Sequence, residues 1–174
     1  MYYTNSQIKS TLESWYQTNI GSKTNLASSV AIGNYYCEQA KSKVDDFLTS
    51  GNATMTTYTS YTPDFKCSTD GNNKGIVNSS VGLLTYDELI YAGGYVRTNN
   101  ISYYLNNSTQ FWTMSPAGFN TKYSGVGTVW ATHTGEDINN YGVADRNYIR
   151  PVINLKANTQ ATGSGTSTDP YVIQ

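Results

Sequence analysis

The stretch that decides the fold opens with Phe-Trp-Thr-Met-Ser-Pro at residues 111–116 and closes with Tyr-Ile-Arg-Pro-Val-Ile-Asn-Leu at 148–155. Both ends predict buried strands, because each is a short run of aromatic and β-branched residues interrupted by a proline. The residues between them are rich in Asn, Thr, Gly and Tyr, with Trp130 and His133 near the middle. Antibody paratopes share that composition, in which Tyr and Trp give rigid contact area and Asn, Ser and Gly give adaptable hydrogen bonds. The stretch therefore favours a binding surface on a rigid frame over a reaction centre.

The composition limits the classes of partner. A chain of 174 residues falls in the usual range of about 100–200 for one domain, so residues 1–174 are predicted to form a single domain. Charged residues make up 13% and the net charge is -1, which argues against a nucleic-acid partner, because phosphate binding needs a basic face. No apolar run approaches the roughly 20 residues that span a bilayer, so no direct membrane insertion is expected. The 16 tyrosines offer more burial than disordered segments carry, which predicts a folded, loop-rich domain.

The chain has two cysteines, Cys37 and Cys67, and one histidine. These three side chains cannot supply the four ligands of a structural zinc site. Because the low charge content points to an extracellular setting, we predict that the two cysteines form a disulfide, with two free buried thiols as the alternative. Closing this loop would stabilise the fold by roughly 3 kcal/mol in the chain-entropy model.

Three segments carry helical patterns. Residues 6–19 predict an amphipathic helix, capped by Asn5 or Ser6 and ended by Gly21, with one apolar stripe. The members of that stripe are Ile8, Leu12, Trp15 and Tyr16. Residues 36–48 predict a second, weaker helix. Thr85 and Glu88 form the capping box of a third, short helix that ends at Gly93.

Strands are predicted mainly in the second half of the chain. Residues 50–80 are dense in turn-forming residues and predict a long irregular region. The predicted strands cover residues 101–105, 111–114, 126–131 and 152–155. Residues 156–174 read as a turn-rich C-terminal extension that ends in a terminal strand over 169–173.

Four segments together resemble a known group of proteins. They are residues 82–94, residues 111–116, Arg-Pro-Val-Ile-Asn-Leu at 150–155, and a tail with Gly-Ser-Gly-Thr at 163–166 and Asp-Pro-Tyr-Val at 169–172. They resemble bacterial surface proteins of the C-type-lectin-fold group, which includes formylglycine-generating-enzyme-like domains and the variable proteins of diversity-generating retroelements. The likeness covers residues 4–173. It implies an α+β, C-type-lectin-like fold with small twisted antiparallel sheets, two or three helices and long irregular loops.

The resemblance also implies a binding segment. In the variable proteins the residues between the two strands form the ligand-facing surface, which maps here to residues 117–148. Residue types favoured by adenine-directed mutagenesis occur there at Asn120, Thr132, His133, Thr134, Asp137, Asn139, Asn140, Tyr141, Asp145 and Asn147. The aromatic residues Phe119, Tyr123 and Trp130 complete the predicted contact set, and the alternative for Trp130 and Tyr141 is a place in the core of the sheet. The Gly-Gly-Ser-Trp-type stretch frequent in those proteins is missing, so a fixed surface protein on the same scaffold is the alternative to a diversified one.

No catalytic, metal or cofactor site is predicted. Cysteine catalysis would need a free thiol beside His133, which a disulfide removes. Formylglycine-generating enzymes use cysteines near the end of the domain, whereas both cysteines lie in the first half here, so the resemblance implies no activity. Glu136 and Asp137 are adjacent and would point apart in an extended loop, against a glycosidase pair. Asp137, Asn139 and Asn140 are the only local oxygen cluster, too few for a predicted calcium site.

We therefore expect a non-enzymatic domain that is extracellular, on a bacterial cell surface or on a phage particle. It would bind a protein or glycan ligand on another cell or particle through residues 117–148. The alternatives are a structural subunit of an extracellular appendage and an extracellular enzyme whose residues carry no recognised motif.

Overall fold

The computed structural model describes residues 6–37, 63, 65–67, 76–94, 105, 109–120, 126–132, 138–166 and 168–174, and only the backbone of residues 118–120, 126 and 130. The chain is mixed α+β, with few helices and three small antiparallel sheets. The helices are α1 (Gln7–Tyr16), α2 (Thr24–Ala27) and α3 (Tyr86–Tyr91), with a π-helical turn at Gln17–Gly21. The strands are β1 (Asn34–Cys37), β2 (Ile76–Ser79), β3 (Trp112–Asn120), β4 (Val126–Thr132), β5 (Ile138–Gly142), β6 (Ala161–Thr162) and β7 (Val172–Ile173).

Helix α1 confirms the first helical prediction in all but its end. Ser6 is the N-cap, and its hydroxyl accepts a hydrogen bond of 3.2 Å from the Lys9 backbone N–H. Leu12 and Tyr16 are buried as the stripe predicts, but Trp15 is 38% exposed. After Tyr16 the helix widens into the π-helical turn, which ends at Gly21.

Helix α3 confirms the capping-box prediction. The Thr85 hydroxyl accepts from the Glu88 backbone N–H, and the Glu88 carboxylate accepts from the Thr85 backbone N–H in return. The helix buries Tyr86 and Leu89 and is followed by Gly93 at a φ of 105°. A positive φ suits glycine because it has no Cβ to clash with the carbonyl.

Strands β1 and β2 form a two-stranded antiparallel ribbon that the sequence did not predict. Residues 36 and 37 belong to β1 and pair with Val77 and Ile76, so the start of the predicted second helix is wrong, and residues 38–48 lie outside the described residues. The predicted disulfide is confirmed: Cys37 is bonded to Cys67, with 5.1 Å between the two Cα atoms. The bond ties the end of β1 to a residue thirty positions further along the chain.

The central sheet has the order β3-β4-β5. β4 confirms the predicted strand over residues 126–131 and adds Thr132. β3 was predicted to stop at Met114 but continues through Pro116 to Asn120. The register between β3 and β4 shifts on both sides of Pro116, and such irregularities accommodate a residue that cannot donate to the ladder.

Both faces of this sheet are covered by apolar clusters. Directly paired residues share a face, and successive residues along a strand alternate between faces. Ala131, paired with Trp112, belongs to a cluster that includes Leu12 and Tyr16 of α1. Ile138, paired with Thr132, belongs to a cluster with Tyr86 and Leu89 of α3. The sheet therefore lies between the two helices.

Residues 148–155, which include the segment predicted as a strand over 152–155, instead form a strap across the domain. It forms three isolated bridges, from Tyr148 to Phe111, from Val152 to Gly82 and from Leu155 to Val30. Arg150, Pro151 and Val152 were expected to be largely buried, but all three are half-buried. The strap connects three elements in succession, so it cannot stay paired with any one of them.

The C-terminal extension forms a two-stranded ribbon. β6 and β7 are antiparallel, with Ala161 opposite Ile173. The predicted terminal strand over 169–173 is thus confirmed at its last two positions. Within the described part of the chain, no helix has the length and apolar character needed to cross a bilayer.

Gly82 lies where the strap meets the β1–β2 ribbon, and Gly82→Ala is expected to destabilise the fold. Its backbone N–H and C=O both bond Val152, at 2.9 Å, and an added Cβ would lie 2.4 Å from Cδ1 of the Tyr36 ring. The Tyr36 hydroxyl donates to the Val152 carbonyl at 3.3 Å, and burial of this ring raises its pKa to about 12. Overpacking of this kind costs about 1–3 kcal/mol, measurable by urea denaturation.

Gly127→Ala is the matched control for this prediction. Among the side chains that the structure describes, a Cβ at Gly127 would meet Val143 Cγ1 alone, at 3.8 Å, which is an ordinary van der Waals contact. We expect this variant to unfold at the wild-type urea concentration or slightly above it, because alanine restricts the unfolded chain. Equal stability of the two variants would mean that Tyr36 does not pack on Gly82.

Candidate functional site

The predicted binding segment, residues 117–148, is mostly sheet in this structure. It contains the end of β3, all of β4 and β5, and the exposed turn at residues 143–146. Asn120 pairs with Val126 at one end of β4, whereas Thr132 pairs with Ile138 at the other. These ends are about 20 Å apart at about 3.3 Å per residue. The predicted contact residues are therefore spread over the full length of β4.

Thr132 is the one predicted contact residue with a described side chain that is buried. Its hydroxyl accepts a 2.9 Å hydrogen bond from the Phe111 backbone N–H and donates to the Thr109 carbonyl at 3.0 Å. It joins the start of the β3 segment to the end of β4. The structure thus gives Thr132 a scaffold role that its residue type did not indicate.

Asn139, Asn140 and Tyr141 are half-buried in β5. The Asn139 side-chain oxygen accepts from the Asn140 backbone N–H at 2.9 Å. Tyr141 pairs with Val129 and packs edge-on against Trp112, with 6.5 Å between the ring centroids. The expectation of substantial exposure for Asn140 and Tyr141 is wrong, because both are half-buried. The Tyr141 ring packs against the apolar cluster that contains Trp112.

Asp145 and Asn147 shape the turn after β5. The exposed Asp145 carboxylate accepts from the Gly142 backbone N–H at 2.8 Å, and the Asp145 N–H donates to the Gly142 carbonyl at 2.9 Å. The Asn147 side-chain oxygen accepts from the side chain of Gln110. Their hydrogen bonds fix the turn at the end of the sheet where Asn120 pairs with Val126.

Tyr148 is a candidate contact residue that the sequence analysis did not list. Its backbone N–H donates to the Gln110 carbonyl and its carbonyl accepts from the Trp112 N–H, each at 3.0 Å, while its side chain is 71% exposed. A tyrosine held in this way presents a large ring with little loss of conformational freedom on binding. Tyr148 is exposed, whereas the residues that follow it, Ile149 to Ile153, are half-buried.

Arg150 holds in place the part of the strap that carries the Tyr148 ring. Its guanidinium carbon lies 4.2 Å above the centroid of the Phe111 ring, and its Nη1 donates to the Leu105 carbonyl at 2.8 Å. Phe111 itself is 1% exposed. The cation–π contact and the hydrogen bond together hold the strap against the start of the β3 segment.

The remaining predicted residues are described in part or not at all. Phe119, Asn120 and Trp130 have defined backbone positions, opposite Gly127, Val126 and Asn140 respectively. Tyr123, His133, Thr134 and Asp137 lie outside the described residues. Within the ranges that the structure describes, no three His, Cys, Asp or Glu side chains could together hold a metal ion. No protein-family model, curated protein or solved structure is significantly similar to this chain.

Proposed function

We propose that this chain is a non-enzymatic, extracellular binding domain with a C-type-lectin-like scaffold, which recognises a macromolecular partner through residues 117–148, including the Tyr148 ring at the end of that segment. The observation that carries the proposal is Tyr148, whose backbone is bonded on both sides while its ring is exposed. Exposed aromatic side chains on a rigid frame are the residues that dominate binding energy at protein interfaces.

The surroundings of Tyr148 support a partner-facing role. Val143, Ala144, Asp145 and Arg146 of the preceding turn are exposed, and the turn is closed by the Asp145 and Gly142 hydrogen bonds. This places aliphatic, acidic and basic groups beside the ring. Such a mixture suits a protein or glycan surface, which offers both apolar patches and polar groups. The disulfide suits an extracellular location, because disulfides persist in oxidising compartments.

Tyr148→Ala is expected to abolish partner binding and leave the melting temperature nearly unchanged. The ring is exposed, so its removal creates no cavity, and exposed substitutions usually change stability by no more than about 0.5 kcal/mol. The test is flow cytometry of the fluorescently labelled domain on a panel of intact bacterial and host cells, together with a glycan array. Melting temperatures are measured on the same protein samples.

Two further tyrosine variants distinguish the loss of a contact with the partner from a loss of fold stability. Tyr171→Ala removes an equally exposed ring (66%) outside the segment and should leave both binding and melting unchanged. Tyr141→Ala removes a ring packed on Trp112 and should lower the melting temperature. Full binding by Tyr148→Ala would contradict the proposed surface.

The C-terminal ribbon favours a second candidate, a structural subunit of an extracellular appendage. Tyr171, Val172 and Ile173 are all exposed on a ribbon of only two short strands, which is marginal in water without further packing. Neighbouring copies could cover these side chains. Filaments that form with rising protein concentration in electron micrographs, and that Val172→Asp prevents, would favour this candidate over the binding domain.

A further inference from the structure

Strand β5 forms one edge of the central sheet. Just after the strand, the Val143 backbone N–H donates to the Gly127 carbonyl of β4 at 3.0 Å. The backbone groups of an antiparallel strand alternate in direction, so residues 139, 141 and 143 face β4, whereas residues 138, 140 and 142 face away from it. No strand that the structure describes pairs with β5 on this outward side. We call the outward backbone groups of residues 138, 140 and 142 the β5 edge.

The sequence of β5 lacks the usual protections of a strand edge. Natural sheets protect their edges with charged side chains, proline or bulges, because unpaired backbone groups otherwise accept a strand from another molecule. β5 reads Ile-Asn-Asn-Tyr-Gly, with no charged residue and no proline. Its register with β4 is continuous over all five residues, so no bulge interrupts it. A strand of this composition is open to pairing with a second copy unless its backbone groups are otherwise occupied.

Two polar side chains occupy these backbone groups. The Asn139 side-chain oxygen accepts from the outward Asn140 N–H at 2.9 Å. The Asp145 carboxylate accepts from the outward Gly142 N–H at 2.8 Å, and the Asp145 N–H donates to the Gly142 carbonyl at 2.9 Å. Two outward donors and one outward acceptor are therefore already bonded within the chain. An incoming strand would have to break these hydrogen bonds before forming its own.

We propose that Asn139 and Asp145 block the β5 edge and so prevent two copies of this chain from pairing edge to edge. Without these hydrogen bonds the edge is self-complementary. Two antiparallel β5 strands related by a two-fold axis would place Asn140 opposite its own copy and Ile138 opposite Gly142. Asn139 and Asp145 belong to the predicted contact set, and blocking the edge is a role for them that needs no contact with a partner.

The test is sedimentation equilibrium of the full chain carrying both Asn139→Ala and Asp145→Ala. The wild-type chain should sediment as a monomer of 19.1 kDa. The double variant should form dimers, with a Kd at least about tenfold lower than that of any wild-type dimer, because several main-chain hydrogen bonds become free to form between copies. A double variant that stays monomeric would overturn the proposal, as would a wild-type chain that dimerises equally well.

Asp145→Asn is the matched control. It removes the same charge as Asp145→Ala but keeps a side-chain oxygen that can accept from the Gly142 N–H, so it should remain monomeric. Dimerisation of this control to the same extent as the double variant would show that charge, and not the hydrogen bond, keeps the copies apart.

Disulfide cross-linking locates the interface. Asn140→Cys supplies one free thiol, because Cys37 and Cys67 are bonded to each other. In the paired strands the two substituted positions would lie about 5.5 Å apart between their Cα atoms, which a disulfide can span. Non-reducing gels should show a cross-linked dimer when Asn140→Cys is added to the double variant and none when it is added to the wild-type chain. Equal cross-linking in both would contradict the blocked edge.

Asn139→Ala alone gives the same comparison if the double variant fails to fold, because it frees the Asn140 N–H at the centre of the edge. It should self-associate more strongly than the wild-type chain, and an unchanged monomer would count against the proposal. The inference is independent of the proposed function, since self-association is measured without a partner and Tyr148→Ala should leave the sedimentation unchanged.

Discussion

Trp112→Ala is expected to destabilise the fold by about 3–5 kcal/mol, the range measured for truncation of buried aromatic residues. Trp112 is 7% exposed and shares an apolar cluster with Leu12 and Tyr16 of α1 and with Ala131 of β4. Its ring also contacts Tyr141 edge-on, an arrangement that contributes about 0.5–1.5 kcal/mol beyond burial. Alanine would leave a cavity where helix and sheet meet. Urea denaturation and thermal melting measure the effect, at about 2–4 °C per kcal/mol for a chain of this size.

Trp15→Ala is the control, because it removes the same type of side chain from α1, where the ring is more exposed than that of Trp112. Trp15 is 38% exposed and lies outside both buried clusters. We expect this variant to lose no more than about 1 kcal/mol, in line with partly exposed positions. A loss below about 1 kcal/mol for Trp112→Ala would contradict the core assignment, and a larger loss for Trp15→Ala would reverse it.

Removing the disulfide is the second large effect that we expect. The Cys37→Ser, Cys67→Ser double variant should lose roughly 3 kcal/mol, because the bond closes a loop of about thirty residues and restricts the unfolded chain. The loss should appear as a lower urea midpoint. Peptide maps of the native protein should show one cross-linked pair under non-reducing conditions and two separate peptides after reduction.

The response to reductant distinguishes the effect of losing the disulfide on stability from any effect of the serine substitutions themselves. Dithiothreitol should lower the melting temperature of the wild-type protein and leave that of the double variant unchanged. Two thiols that react with an alkylating agent in the native oxidised protein would show that the bond is absent. Wild-type stability that is insensitive to complete reduction would show that the bond does not restrict the unfolded chain.

The burial of Trp112 bears on the proposed function, because Trp112 helps to hold the backbone of Tyr148 rigid. Trp112 donates its backbone N–H to the Tyr148 carbonyl while its ring lies in the core. Tyr148, whose ring is exposed, is thus hydrogen-bonded through its backbone to a tryptophan whose ring is buried in the core. A ring held on such a support loses little freedom when it binds, which leaves more of the contact energy for affinity.

Local signals in the sequence were sufficient for α1, α3 and one strand, whereas α2 and the π-helical turn were not predicted. Ser6 and the Thr85–Glu88 pair mark helix starts because capping involves residues only three positions apart. The β-branched run at residues 126–131 predicted β4 nearly to its ends. The disulfide was predicted from composition and cysteine count, since only one pairing of two cysteines exists. The α+β class was expected from the resemblance, and the few helices and small antiparallel sheets agree with it.

Non-local pairing decided what the sequence analysis missed. Residues 36 and 37 form a strand because residues 76 and 77 lie beside them, a contact that no local pattern reports. Tyr141 falls on the same face as polar Asn139, so periodicity alone suggested exposure, yet the cluster around Trp112 covers that face.

By itself the sequence determined where α1 and α3 begin, which cysteines pair and which segment is rich in contact-forming residues, because each depends on near neighbours or on composition. Only the tertiary structure decided which of those residues are free to make contacts. Thr132 and Tyr148 show this division: the first is enclosed by hydrogen bonds to Phe111 and Thr109, and the second is exposed at the end of the strap. The physical reason is that a side chain's exposure depends on what packs over its face of the sheet, and those partners come from distant parts of the chain.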